Sequence, residues 1–167
     1  MNVVAKRISE GATPAAGTTV TLRFSSVQEF IPGICQACAA FVAAPPAAEV
    51  PELTLVLREL LSNAIEHGNR HDPAKQVTCQ LALVGPQCVE VTIADEGSGF
   101  DPDTVTLQWP DQPSETGAGG LRLVNALSDG LHFERGGRSV VCRVSWNAVS
   151  SADANRQQLA GSGKKEN

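Results

Sequence analysis

Glu59, Asn63 and His67 recur every four residues in Glu59-Leu60-Leu61-Ser62-Asn63-Ala64-Ile65-Glu66-His67-Gly68-Asn69, a spacing that stacks them on one stripe of a helix. Asn63 offers a hard amide oxygen, and magnesium accepts one or two such protein ligands while water and phosphate oxygens fill its other positions. The Glu59 carboxylate, one turn earlier, can orient or deprotonate a hydroxyl or a water attacking a γ-phosphate. His67 by itself reads as a helix-end residue near the C-terminal dipole rather than a catalytic acid or base.

Two glycine-rich segments follow. In Asp95-Glu96-Gly97-Ser98-Gly99-Phe100 a strand ends in an acid and runs straight into alternating glycines. An ionised Asp95 only accepts hydrogen bonds, so it suits the exocyclic amine of adenine. Gly97 and Gly99 allow positive φ and close backbone approach. Gly117-Ala118-Gly119-Gly120-Leu121 opens a short helix, where the free N–H groups of Gly119, Gly120 and Leu121 can bind phosphate. Each segment alone has a plainer use as a turn, a flexible loop or a solvated helix face. In this order, on these elements, they have a partner for every part of an ATP.

The elements that must position them follow from periodicity. Thr19 to Phe24 alternates and reads as a strand, with Ser25 or Ser26 capping a helix from about Val27 to Val42, weakened early by Pro32-Gly33. Ala43 to Ala48 is a breaker stretch, and Pro51 suits the start of a second helix running to about His67. Leu53, Leu57, Leu60, Leu61 and Ala64 give that helix its apolar face. Gln76 to Val84 and Val89 to Asp95 alternate as strands around the turn Gly85-Pro86-Gln87. Phe100 to Thr116, with three prolines and no periodicity, reads as a loop or lid containing Trp109. The strand-like Leu131 to Arg135 and Ser139 to Trp146 make a final hairpin.

With 167 residues the chain suits one domain, placed at 19–147, between a flexible N-terminal segment, 1–18, and a disordered tail, 148–167. A net charge of -5 and the absence of a basic block before the last residues argue against a nucleic-acid binder. Met1 to Gly17 has neither the apolar core of a signal peptide nor a membrane span, so the expected location is cytoplasmic. Five cysteines without an export signal fit reduced thiols; the lone Cys35-x-x-Cys38 reads as small helix residues, and Cys79, Cys88 and Cys142 as core filler.

Glu59-x-x-x-Asn63-Ala64 followed by His67-Gly68-Asn69 resembles the N box of the Bergerat-fold ATPases, the superfamily of gyrase, the heat-shock chaperones, histidine kinases and mismatch-repair MutL. Asp95-x-Gly97-x-Gly99-Phe100 resembles its first glycine box, and Gly117-x-Gly119-Gly120-Leu121 its second. Within that superfamily the run Asn63 to Pro73, the small size and the short lid are most similar to the bacterial anti-sigma factor serine kinases. The resemblance covers roughly Val20 to Trp146. It implies an α/β (α+β) two-layer sandwich, helices on one face of a mixed, mostly antiparallel sheet. It also implies transfer of the ATP γ-phosphate to a serine on a STAS-type anti-sigma antagonist, with ATP and Mg2+ as cofactors. A sigma factor or another output protein is an implied second partner, and a homodimer is compatible.

By resemblance, Glu59 becomes the catalytic base, Asn63 the magnesium ligand and Asp95 the adenine acceptor. His67, Gly97, Gly99, Phe100, Gly117, Gly119, Gly120 and Leu121 join the nucleotide-binding set. Two departures stand out: Ala118 falls where the second box usually begins with glycine, and Gly136-Gly137-Arg138-Ser139 replaces a Gly-Thr pair, leaving a hydroxyl role for Ser139 open. The alternative function is a nucleotide-dependent protein-binding module without turnover, which would need Asn63 and Asp95 but no Glu59. A sensor histidine kinase fragment ranks last, since the residues before Thr19 leave no room for a dimerisation helix pair.

Overall fold

The computed structural model describes residues 2–5, 16–42, 50–108 and 119–146. Among the described residues six strands, β1 (Asn2–Ala5), β2 (Thr19–Ser25), β3 (Gln76–Gly85), β4 (Cys88–Asp95), β5 (Leu131–Glu134) and β6 (Ser139–Ser145), form one sheet in the order β1-β2-β3-β4-β6-β5. Its ladders are all antiparallel. Three helices, α1 (Ile31–Val42), α2 (Pro51–Asn63) and α3 (Gly119–Leu127), complete the expected α+β sandwich.

Period two in the strands and the helical period in α1 and α2 build one core between them. Leu22 and Phe24 of β2, Val77, Cys79, Leu81 and Leu83 of β3, and Val89, Val91 and Ile93 of β4 are buried on the same sheet face. Against them lie Ile34 and Cys38 of α1, Leu53, Val56, Leu57, Leu60 and Leu61 of α2, and Val124 of α3. Each Leu, Ile or Val fully removed from water contributes about 1.5–3 kcal/mol, so the apolar face of α2 is a principal anchor of the helical layer.

Local chemistry explains where the elements differ from the sequence reading. A 3-10 turn, Gln28–Phe30, leads into α1, and Pro32 stands in its first turn, where a missing N–H leaves no bond unmade. α2 starts at Pro51 as expected, but its last part, Ala64–Gly68, is a π turn instead of α-helix. α3 starts two residues earlier than the apolar run suggests, so Gly119 and Gly120 are helical. The N-terminal segment expected to be flexible carries strand β1, which pairs along β2 from Asn2↔Arg23 to Ala5↔Val20. Residues 6–15, the 43–49 breaker, positions 109–118 with Trp109, Gly117 and Ala118, and the tail from 147 lie outside the described residues.

All five cysteines are free, and Cys35, Cys38, Cys79 and Cys142 are buried. Cys38 of α1 and Cys79 of β3 meet with their sulfurs 3.7 Å apart in the core.

Candidate functional site

The end of α2 shapes the site. Asn69 N–H reaches back five residues to the Ala64 carbonyl at 2.8 Å, which widens the turn from Ala64 to Gly68. Such i→i+5 turns are rare and concentrate at functional sites. Four residues exceed one revolution of an α-helix but fall short of one in the wider turn. His67 therefore stands exposed at the rim, while Gly68 is brought against the end of β4. A Cβ on Gly68 would lie 2.5 and 2.7 Å from the two carboxylate oxygens of Asp95.

Asn69, which is fully buried, locks this arrangement. Its Nδ2 donates to the Gln76 carbonyl at 3.0 Å, and its Oδ1 accepts from the Glu96 N–H at 2.9 Å, so one side chain ties the helix end to the start of β3 and to the residue that follows β4. Beyond it Arg70 and His71 take φ of 57° and 58°. Left-handed backbone costs a non-glycine residue roughly 1–2 kcal/mol, and here the His71 N–H bond to the Ile65 carbonyl at 2.8 Å helps hold it.

The first glycine segment is sewn in from two sides. The Asp95 carboxylate accepts the Gly97 N–H at 2.7 Å, and Gly97 lies so close to Gly68 that a Cβ would fall 2.6 Å from the Gly68 carbonyl carbon. From the other side comes the turn between β5 and β6. Asp95 N–H donates to the Arg138 carbonyl at 3.0 Å and Phe100 N–H to the Gly136 carbonyl at 3.1 Å. Gly137, at φ +77°, has room only for a hydrogen, because a Cβ would sit 2.5 Å from the Phe100 carbonyl oxygen. Phe100 also meets Phe133 of β5 edge-on, with ring centroids 5.1 Å apart.

The second glycine segment faces α2. A Cβ at Gly120 would stand 3.4 Å from Glu59 Cδ and 3.8 Å from Asn63 Nδ2, so bare backbone at the start of α3 adjoins both side chains. Both are half-buried. Among the described residues, no atom outside the adjoining chain comes within 4 Å of a Cβ position at Gly119.

Between these parts lies a cavity of about 290 Å³ with apolar walls from Leu60, Ala64, Ile93, Val105, Leu121, Phe133 and Val140. Asn63, His67 and Asp95 supply its polar groups. Burial raises the Asp95 carboxyl above its ordinary value, opposed by the Gly97 N–H and by the Arg138 and Lys75 charges. An apolar slot with one carboxylate at its end suits a flat, amine-bearing heterocycle.

The family model of the histidine kinase-like ATPase domain matches residues 24–146. The chain belongs to that family. Among curated proteins no match is found.

As a histidine kinase-like ATPase domain, the chain binds ATP, and the cavity fits that ligand. Asp95 offers a carboxylate acceptor in the slot, the walls are apolar, and Gly68, Gly99 and Gly137 line it. Asn63, His67, Asp95, Gly99, Phe100 and Leu121 all line the cavity. Gly97 stands behind it as the contact between Gly68 and Asp95, and Glu59 and Gly120 meet beside Asn63. Gly119 borders neither.

Sequence reasoning missed several walls. Ile93 was signalled by the alternation of β4, and Gly137 by a glycine pair in a hairpin. Val105, Phe133 and Val140 carry no local mark, because only the sheet order brings them to the cavity.

Proposed function

We propose that this domain is an ATP-dependent protein serine kinase and partner-switching regulator that phosphorylates a serine on a STAS-type anti-sigma antagonist. The observation that carries the reading is Glu59, half-buried beside Asn63 and against the bare backbone of Gly120 where α3 begins. A site that only held nucleotide would have no use for a carboxylate there. In the reaction the serine oxygen bonds to the γ-phosphorus as its bond to the bridging oxygen breaks. ADP leaves with that electron pair, and the serine proton passes to Glu59.

Asn63 would hold Mg2+, which supplies charge neutralisation on the phosphates. The domain would also hold a sigma factor or another output protein while the antagonist is phosphorylated, and would work in the cytoplasm. No helix among the described residues is long and apolar enough to cross a membrane.

The test is phosphotransfer to a purified STAS-type protein, with phosphoserine mapped by mass spectrometry. Glu59→Gln should keep ATP affinity within a few-fold and still capture the partner, while transfer falls roughly a hundredfold to ten-thousandfold. Asn63→Ala should weaken Mg-ATP far more than metal-free nucleotide. Undiminished transfer by Glu59→Gln removes it as base. A wild type that captures the partner but never phosphorylates it supports the binding module instead.

A further inference from the structure

Arg122 is buried, at 8% exposure, on the helix that begins at Gly119. It follows Leu121, a cavity wall, and stands two residues after Gly120, which adjoins Glu59. Burying a guanidinium is costly unless its donors are used, and a leucine or methionine would fill the same space without that cost. The residue type therefore needs a reason.

Its Nε donates to the Thr106 carbonyl at 3.3 Å. Thr106 follows Val105, another wall of the cavity. Upstream there is a 3-10 turn, Pro102–Thr104, in which Asp101 accepts the Asp103 N–H at 3.1 Å and the Thr104 hydroxyl donates to the Asp101 carbonyl at 2.7 Å. The Val105 N–H closes that turn on the Pro102 carbonyl at 3.1 Å. Residues 105–108 lie outside regular structure, and the Thr106 carbonyl is where α3 takes hold of them.

We propose that Arg122 is a positioning residue for nucleotide binding: a strut that fixes the Val105 wall against α3 and so sets the width of the cavity between Val105 and Leu121. The inference rests on the nucleotide-binding reading and adds a residue that touches no ligand. It makes the start of α3 and the far wall one mechanical unit.

Arg122→Met tests it, because methionine fills the volume without offering a donor, and Arg122→Lys restores charge and a donor at a single point. Two readouts are needed. The first is amide hydrogen exchange at Thr104, Val105 and Thr106 in the ligand-free protein, and the second is ADP affinity by calorimetry with a chelator present. Arg122→Met should speed exchange at those amides and weaken ADP by roughly tenfold, as expected for a lost charged hydrogen bond. Arg122→Lys should recover part of both.

Wild-type exchange and wild-type affinity in Arg122→Met would overturn the strut, leaving Arg122 as packing only. If Arg122→Met does not fold, Arg122→Lys decides alone: faster exchange at those amides together with weaker ADP binding than wild type supports the strut, and wild-type values in both overturn it. A wild type that binds no ADP removes the nucleotide reading, while exchange in the free protein still decides the strut.

Discussion

Gly97→Ala separates glycines that look alike in the sequence. A methyl group there would lie 2.6 Å from the Gly68 carbonyl carbon and 2.8 Å from Asp95 Oδ1, against an optimum near 3.5–4.0 Å between carbons. The Gly68 side is backbone, held by the π turn, so no rotamer change relieves it. The loop must move by about 1 Å at that optimum, and the 2.7 Å bond from Gly97 N–H to Asp95 is stretched or lost. Overpacking costs about 1–3 kcal/mol and a hydrogen bond to a charged acceptor about 1.5–3, against a gain of about 0.4–1 from a stiffer unfolded chain. In a chain of this size each kcal/mol moves Tm by about 2–4 °C, so a fall on the order of 10 °C is expected. Because Asp95 moves with the loop, ADP affinity should drop at least roughly tenfold. The control is Gly119→Ala, whose Cβ position meets no atom within 4 Å among the described residues outside its own stretch of chain and whose stability should hold or rise by about 0.4–1 kcal/mol. Thermal unfolding and calorimetry on both variants decide the matter. Wild-type Tm and affinity in Gly97→Ala would refute the close approach to Gly68.

Two further outcomes follow from buried ionisable groups. Burial raises the folded Asp95 carboxyl above its unfolded value, so its contribution to stability is full at low pH and is lost as pH rises through the raised value. Acceptance from a base amine needs the carboxylate, so ADP affinity should fall on acidification through that same window, and titration calorimetry should find both slopes flattened in Asp95→Asn. Burial also pushes the Cys35 thiol up to about 11 and the Cys142 thiol up to about 12, while contact with Cys38 and burial raise Cys79. An aromatic disulfide reagent near neutral pH should therefore label the partly exposed Cys88 first and the four buried cysteines only on unfolding; equal labelling of the native protein would contradict the core described.

The sandwich was legible in the sequence because burial and periodicity agree. Val77, Cys79, Leu81 and Leu83 alternate, Leu53, Leu57, Leu60 and Leu61 follow the helical period, and each set lies inside. The π turn was not legible: Ala64 to Gly68 has ordinary helical residues, and its widening depends on Asn69 finding partners at the start of β3 and just after β4. Strand β1 was missed for a related reason. Asn2–Ala5 is too short to show a period, and its role as an edge comes only from pairing with β2.

The polar corners of the site could be read from residue types at fixed spacing, whereas its walls depend on the sheet order. β6 lies between β4 and β5, which sets the Gly136-Gly137 turn beside Asp95 and swings Phe133 under Phe100. The same order divides the glycines by task. Gly97, Gly99 and Gly137 are needed because other backbone occupies the space of a side chain, whereas at Gly120 that space meets only the Glu59 carboxylate, the end of a flexible side chain that can swing aside. Gly120 adjoins Glu59 and Asn63, so bare backbone at the start of α3 lies against the polar stripe of α2.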